Sequence, residues 1–306
     1  MKETLKYYYN IETNNLEEKN GQYHFNYKGK DYFFVFYNRL ENELKDIIFC
    51  NEEMKNKNID CHVMIKNIKN SFITQIKNHN YILMGVNNPL QIYDLFEINN
   101  FNKNMILNFN YSNLYRNNWV KLWSNKVDYF EKQVRELALN KKIIINSISY
   151  YLGLAENAIS LVNIANKKYK DDKSNIVLSH RRIFYPNIKL NFLNPLSFVF
   201  DLKIRDIAEY LKSMFFSSNE IDTFIELSSY LKIANLNIYE LNMFWARLLY
   251  PTYYFDKYEE IMNDNQDEEI LIKIIDKVDD YENFLKKTYL ELSKYGNIEK
   301  IEWLIN

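Results

Sequence analysis

Alternating apolar and polar positions near the start of the chain predict a β-hairpin. Residues Gln22 to Tyr27 and Asp31 to Tyr37 are rich in aromatic and branched side chains, and they flank Lys28-Gly29-Lys30. A glycine between two such runs is typical of a tight hairpin turn. Asn20-Gly21 predicts another tight turn just before the first strand.

The pattern then changes to helical spacing and back again. Leu40, Leu44, Ile47 and Ile48 fall on one stripe of a predicted helix. Three short strands are predicted to follow, at His62 to Ile65, Phe72 to Ile76 and Tyr81 to Val86. This order of elements predicts a small, mostly β N-terminal lobe with one main helix, over residues 1–87, which ends near Asn87-Asn88-Pro89.

Beyond residue 88 the pattern is mostly helical. Trp119 to Leu139 carries apolar residues at intervals of three and four, and Ile148 to Ala165 is apolar on nearly every face. A helix is predicted from Arg205, with a buried stripe of Ile207, Leu211, Met214 and Phe215. Further helices fill the remainder, with a break at Tyr250-Pro251, because proline cannot continue a helix. Residues 88–306 are therefore predicted to form a large, mostly α lobe.

Charge and composition exclude several classes of function. The chain has 39 basic and 40 acidic side chains and a net charge of -1, which gives no electrostatic reason to expect nucleic acid or an anionic membrane as a partner. No apolar run is long enough to predict a transmembrane segment, and the N-terminus lacks the apolar core of a signal peptide. Cys50 and Cys61, in a predicted helix and a predicted strand, lack zinc-type spacing, so we expect reduced, buried thiols in a cytoplasmic protein.

The candidate chemistry lies between Val177 and Glu209. A hydrophobic strand leads into the loop SHRRIFYPN, and a second strand, FVFD, ends on Asp201. Asn187 follows His180 by seven positions, which is the spacing of the catalytic loop in aminoglycoside-phosphotransferase-like enzymes. In kinases, an Asn from such a loop and an Asp from a nearby strand supply oxygen ligands to Mg²⁺.

Four segments in order extend the resemblance: LGLAENAI from Leu152, SHRRI from Ser179, FVFDLKIRDIAEYL from Phe198, and ARLLYPTYYF from Ala246. Together they resemble the spore coat-associated kinase-like proteins of endospore-forming bacteria, nearest to the degenerate, YutH-type branch. The resemblance implies an α+β, bilobal kinase-like fold. It also implies synthesis in the cytoplasm of the mother cell, with assembly onto the spore coat.

The same resemblance implies roles for individual residues. Asn187 and Asp201 match the metal ligands of the active enzymes, as a vestigial or working Mg²⁺ site, and Asp206 matches the structural acid that braces the catalytic loop. His180 is interpreted as a loop-bracing residue. The degenerate loop His180, Arg181 and Arg182 supplies no catalytic residue that we can assign.

Three parts of the ATP machinery are absent from the sequence. Arg182 occupies the position of the catalytic aspartate, and a guanidinium that is always protonated cannot act as a base. The strand Asp31 to Tyr37 has no lysine to bind nucleotide phosphates, and Gly21 and Gly29 are explained by turns rather than by a Gly-rich loop. We therefore expect a non-catalytic protein without a cofactor, which binds a coat protein or a small polar ligand.

Two alternatives remain open at this point. The first is an active small-molecule kinase, which would use ATP and Mg²⁺ held by Asn187 and Asp201 on a small hydroxylated substrate. Asp201 and Glu209 are the acids we nominate as its displaced base. The second is a helical protein–protein adaptor without a ligand site.

The two arginines of the loop also have two interpretations. Arg181 and Arg182 could form an anion site or neutralise Asp201. They could instead be a surface pair or form a single salt bridge, which is the interpretation we favour.

Overall fold

The computed structural model describes residues 1–19, 22–86, 90–106, 112–138, 140–169, 174–218, 220–264 and 266–305, apart from the side chains of Lys19 and Asn187. The chain forms two compact units. The sheet unit comprises Met1–Asp94, Asn108–Tyr115 and Pro186–Val199. The helical unit comprises Leu95–Leu107, Arg116–Tyr185 and Phe200–Asn306. The predicted boundary at residues 87–89 lies outside the described residues and stays a prediction.

The sheet unit contains six antiparallel strands: β1 (Glu17–Lys19), β2 (Gln22–Tyr27), β3 (Lys30–Phe36), β4 (Val63–Ile65), β5 (Ile73–Ile76) and β6 (His79–Val86). Their order is β1-β2-β3-β6-β4, and β5 also pairs with β6. The predicted hairpin is confirmed, with Tyr27 opposite Lys30. Lys28 and Gly29 both have positive φ, at 51° and 76°, as a two-residue turn between twisted strands requires. The predicted turn at Asn20-Gly21 lies outside the described residues.

Helix α1 (Lys2–Tyr9) closes the core of the sheet unit. Its one buried side chain, Leu5, packs in a cluster with Ile11, Phe25, Phe34 and Leu83. Strands β2, β3 and β6 each contribute one residue to that cluster, because alternate side chains of a strand point to the same face.

The main helix of the sheet unit, α2 (Glu41–Asn56), confirms the predicted helix, but only part of its predicted stripe is buried. Leu40 is 68% exposed, whereas Ile47, Cys50 and Met54 are fully buried. Leu40 only precedes the helix, so the packed face begins further along. Cys50 and Cys61 are both buried and free, and Cys61 lies just before β4 rather than in a strand.

The sheet unit also contains β7 (Ile92–Tyr93), β9 (Asn187–Ile188) and α6 (Lys189–Phe192). β7 and β9 pair antiparallel, with Tyr93 opposite Asn187. The backbone of Asn187 is thus part of the sheet unit, while its side chain lies outside the described residues.

The helical unit begins with α3 (Leu95–Asn104) and the long helices α4 (Trp119–Leu137) and α5 (Lys142–Lys168). Strands β8 (Ile176–His180) and β10 (Phe198–Leu202) pair with each other. The remaining helices are α7 (Arg205–Ser217), α8 (Glu220–Ala234), α9 (Ile238–Leu249), α10 (Thr252–Asp264), α11 (Ile272–Ile275), α12 (Val278–Leu292) and α13 (Glu302–Ile305).

The core of the helical unit forms around α5, which packs against α4 and α9. The predicted stripe of α7 is confirmed, because Ile207, Leu211, Met214 and Phe215 are all buried. Asn237 caps α9 through a reciprocal pair of hydrogen bonds with Glu240, and the chain turns at Pro251 before α10. None of the helices in the described part of the chain is long and apolar enough to cross a membrane.

Candidate functional site

The loop after β8 is fixed by a buried carboxylate at the start of α7. The backbone N–H of His180 donates to Asp206 Oδ1 at 3.0 Å, and His180 Nδ1 lies 2.7 Å from Asp206 Oδ2. Both side chains are completely buried, and the ring of Phe101 packs beside the imidazole at 5.4 Å between centroids. Two hydrogen bonds from one carboxylate therefore hold both the backbone and the ring of His180.

The carboxylate of Asp201, at the end of β10, is fully buried among hydrogen-bond donors. Trp119 Nε1 lies 2.9 Å from Oδ1 and 3.1 Å from Oδ2, and the backbone N–H of Leu202 donates to Oδ1 at 2.8 Å. Arg205 Nη1 donates to Oδ2. Burial raises the pKa of Asp201, and Arg205, Arg247 and the Trp119 hydrogen bond oppose that rise.

Arg205 joins this carboxylate to the loop after β8. Its Nε donates to the carbonyl of His180 at 3.0 Å, and its Nη2 donates to the carbonyl of Arg181 at 3.2 Å. Because Arg205 follows Asp201 by four positions across a tight strand-to-helix turn, its guanidinium reaches back to the carboxylate. Arg205 is thus the residue that neutralises Asp201.

The Mg²⁺ ion that the family resemblance implies does not fit the described site. Both oxygens of Asp201 accept hydrogen bonds, and one of them contacts a guanidinium, so a dication would have to displace a buried cation. In the described residues, no group of three His, Cys, Asp or Glu side chains is arranged to hold a metal. The metal role predicted for Asn187 rests on a side chain outside the described residues and stays a prediction.

Arg182 forms an ion pair with Asp256 of α10 and makes no contact with Asp201 that the structure records. Its Nε donates to Asp256 Oδ2 at 2.5 Å, its Nη2 donates to Oδ1, and its Nη1 donates to the carbonyl of Arg181 at 2.8 Å. The side chain of Arg182 is 39% exposed. For Arg182, this arrangement agrees with the favoured interpretation of a surface pair or a single salt bridge.

A second carboxylate, Glu209 on α7, is buried against two cations. Arg247 Nε donates to Glu209 Oε1 at 2.6 Å, and Lys212 Nζ lies 2.8 Å from the same oxygen. The hydroxyl of Thr252 donates to Oε2 at 2.7 Å. We call Glu209, Lys212, Arg247 and Thr252 the Glu209 cluster. Glu209, nominated above as a displaced base, is instead held as an acceptor on both of its oxygens.

Lys212 also stabilises the end of α9. Its ammonium donates to the carbonyls of Arg247 and Tyr250, both at 3.0 Å, and to Thr252 Oγ1 at 2.7 Å. Carbonyls at a helix C-terminus lack partners within the helix, and a buried cation satisfies them. The Glu209 cluster therefore ties α7 to the turn between α9 and α10.

The Glu209 cluster predicts sensitivity of the fold to acid. Burial raises the pKa of Glu209, but the charges of Lys212, Arg247 and Arg182 outweigh it and hold that pKa well below its usual 4.5. Below pH 4.5 the unfolded chain binds a proton that the folded chain does not, so the stability from this group is lost as pH falls. We expect the urea midpoint of the wild type to fall more steeply below about pH 4.5 than that of Glu209→Gln. Parallel pH profiles of the two proteins would contradict this.

A pocket of about 160 Å³ opens beside these two carboxylates within the helical unit. Its basic lining residues are Arg116, Lys126, Arg182, Arg205 and Arg247, and its acidic lining residues are Asp256 and Glu259. Its aromatic lining residues are Trp119, Trp123, Tyr250 and Phe255. We call this space the Arg247 pocket.

The aromatic side of the Arg247 pocket is a continuous stack. Trp123 lies between Trp119, at 5.0 Å between ring centroids, and Tyr250, at 4.1 Å. The guanidinium of Arg247 packs over Trp119 and Trp123, at 5.0 Å and 5.5 Å from their centroids. The helical spacing of the segment from Trp119 predicted an apolar face, and the structure adds the contacts of both tryptophans with Arg247 and of Trp119 with Asp201.

The sequence pattern did not identify three residues of the site, which are Arg205, Arg247 and Asp256. The signal for Arg205 was its spacing of four from Asp201, next to a strand end. The signal for Arg247 was a basic residue in the otherwise apolar run MFWARLLY, where a charged side chain has to be paired once it is buried. Asp256 carried no distinguishing signal, because it lies on an ordinary amphipathic helix.

The family model of the spore coat putative kinase YutH matches residues 2–288 of the chain. The chain belongs to the YutH family of spore coat putative kinases. It is 28% identical over 209 residues to the endospore coat-associated protein YutH of Bacillus subtilis (strain 168), and this match covers 61% of each protein. The predicted family resemblance is thereby confirmed.

Solved structures place this YutH family member in the kinase-like fold. An aminoglycoside phosphotransferase from Alicyclobacillus acidocaldarius subsp. acidocaldarius DSM 446 matches with a TM-score of 0.61 at 10% identity, over 92% of each chain. An AMP-bound spectinomycin phosphotransferase matches with a TM-score of 0.57 at 14% identity, over 94% of this chain and 96% of the other. At such identities the likeness shows the fold alone. The predicted α+β kinase-like class is confirmed.

Proposed function

We propose that the protein is a non-catalytic, pseudokinase-like member of its family, which acts at the spore coat by binding. The observation that carries this proposal is the state of Asp201. In a working kinase this aspartate holds Mg²⁺ against the nucleotide phosphates. Here its oxygens are taken by Trp119, Leu202 and Arg205, so an internal guanidinium occupies the place of the metal's charge.

The loop supports the same proposal. Arg182 stands where the resemblance expects the catalytic base, and its planar guanidinium is paired with the carboxylate of Asp256. An arginine can donate hydrogen bonds but cannot accept the proton of a substrate hydroxyl. His180 and Asp206 keep the loop in shape without supplying a base of their own.

Two residues of the sheet unit also support a non-catalytic role. Kinases hold the phosphates with a strand lysine that pairs with a glutamate of the main helix. In β3, the lysine is Lys30, which is exposed at the first position of the strand, next to the hairpin turn. The buried acid of α2, Glu43, contacts Arg39 at 2.8 Å instead. We therefore expect no ATP- and Mg²⁺-dependent step.

We infer the place of action from the relative in Bacillus subtilis. The protein of Bacillus subtilis is an endospore coat-associated protein, and we extend that association to this chain. A coat protein or a small polar ligand is then the partner. An active phosphotransferase is the alternative that the following experiment separates.

We expect the wild type to show no Mg²⁺-dependent stabilisation by ATP in a thermal-shift titration. A ligand at 100 times its Kd stabilises a protein by about 2.7 kcal/mol, which such a titration detects readily. Calorimetric titration in the presence of Mg²⁺ or EDTA gives the same comparison at constant temperature. The matched variant is Asp201→Asn, which removes the charge that a metal needs. Saturable, Mg²⁺-dependent binding in the wild type that this variant loses would overturn the proposal.

A further inference from the structure

The guanidinium of Arg247 is largely buried, and only one of its three nitrogens donates a hydrogen bond within the described part of the chain. The residue is 3% exposed, and its Nε donates to Glu209 Oε1 at 2.6 Å. Among the described residues, neither of its terminal nitrogens has a hydrogen-bond partner. Neither nitrogen is completely buried, so both are accessible to a polar group in the adjoining pocket that can accept hydrogen bonds from them.

These terminal nitrogens belong to a side chain that lines the Arg247 pocket. Five basic residues line that pocket against two acidic ones, Asp256 and Glu259. With the buried carboxylates of Asp201 and Glu209 and the buried ammonium of Lys212 also counted, positive charges exceed negative charges by six to four. The pocket therefore favours a ligand with a negative charge.

We propose that the Arg247 pocket binds a small organic anion, whose carboxylate or phosphate oxygens accept hydrogen bonds from the two terminal nitrogens of Arg247. A guanidinium presents parallel donors that match the oxygens of either group. The aromatic lining of Trp123 and Phe255 suits an apolar or ring-bearing body attached to the acid.

The size of the pocket narrows the ligand further. Its volume of about 160 Å³ lies below the roughly 300–1,000 Å³ of pockets that enclose drug-sized molecules. A small acid fits this space. The inference rests on the proposed function, because it names the class of ligand for the binding role.

The probes are inorganic phosphate, acetate and benzoate, each titrated at low ionic strength without Mg²⁺. Tryptophan fluorescence reports on binding, because Trp119 and Trp123 both line the pocket. We expect saturable quenching by at least one probe, with a Kd on the order of 1 mM. Tighter binding of phosphate identifies a phosphate ligand. Benzoate that binds more tightly than acetate identifies a ring-bearing carboxylic acid.

Arg247→Lys is the decisive variant, since it keeps a positive charge near Glu209 but removes the fork of donors. We expect it to weaken binding of the preferred probe by tenfold or more. The matched control is Arg135→Lys on α4, whose arginine is 77% exposed and pairs with Glu131. This control should bind like the wild type.

Lys126→Met is a second variant for the case that Arg247→Lys unfolds. The ammonium of Lys126 is partly exposed and pairs with Glu259, so its loss is tolerated by the fold. We expect it to weaken anion binding several-fold through the lost charge. Absence of saturable binding for all three probes, or equal binding by the wild type and both pocket variants, overturns the anion site.

The non-catalytic role and the anion site can each be contradicted without the other. Mg²⁺-dependent ATP binding contradicts the non-catalytic role without touching the anion site. A failure of all three Mg²⁺-free anion probes removes the anion site and leaves the non-catalytic role in place.

Discussion

Glu209→Gln is expected to destabilise the protein by about 3 kcal/mol, at the lower end of the cost of breaking a buried ion pair. The substitution keeps the size of the side chain but removes the carboxylate that contacts the guanidinium of Arg247 at 3% exposure. Arginine cannot relieve this by losing a proton, whereas Lys212, whose pKa burial already lowers to about 7, can. The change should appear in the urea midpoint at neutral pH, with an unchanged m-value.

The control for this prediction is Glu131→Gln on α4. Glu131 also pairs with an arginine, Arg135, at 3.3 Å, but the arginine is 77% exposed. Exposed ion pairs contribute about 0–1 kcal/mol, so the control should lie close to the wild type. An equal loss of stability in both variants would show that burial of the Glu209 cluster carries no special weight.

Asp201→Asn is the second large effect, with an expected loss of about 3 kcal/mol. An asparagine oxygen can still accept from Trp119 and from the backbone of Leu202. Its amide group, however, turns a donor toward Arg205 where an acceptor oxygen now lies. The guanidinium of Arg205 then loses its counter-charge in a buried position.

Chemical denaturation with circular dichroism measures this loss, and Asp128→Asn is the matched control. Asp128 is an exposed residue of α4, so its substitution should change stability by no more than about 0.5 kcal/mol. A nearly neutral Asp201→Asn would mean that Asp201 is already protonated in the folded protein. The ion pair with Arg205 would then not stand in place of a metal.

The strands and helices were predictable where local pattern determines structure. The β2–β3 hairpin follows from two apolar runs around a glycine that accepts a positive φ. The buried stripe of α7 follows from the helical spacing of its apolar residues. The stripe of α2 was predicted only in part, because which face is buried depends on the elements that pack against it, and Leu40 precedes the helix.

The position of the site in the chain was predictable from the sequence, but the ion pairs between its side chains were not. Sequence spacing located His180, Asp201 and Asp206 near one another in the chain order of a kinase-like loop. It could not show that Arg205, rather than Arg181 or Arg182, reaches Asp201, because that depends on the turn after β10. Nor could it bring Arg247 to Glu209, since only the packing of α7 against α9 makes that contact.

The network that shapes the loop has a consequence for how this family can change over time. Asp206 holds His180, and Arg205 holds the carbonyls of His180 and Arg181, so residues other than the one at position 182 make most of the contacts that fix the loop. Mutation at that position can therefore remove an aspartate, or restore one, while the backbone around it keeps its path. A lineage could lose its chemistry at a single codon and retain a scaffold on which other uses are selected.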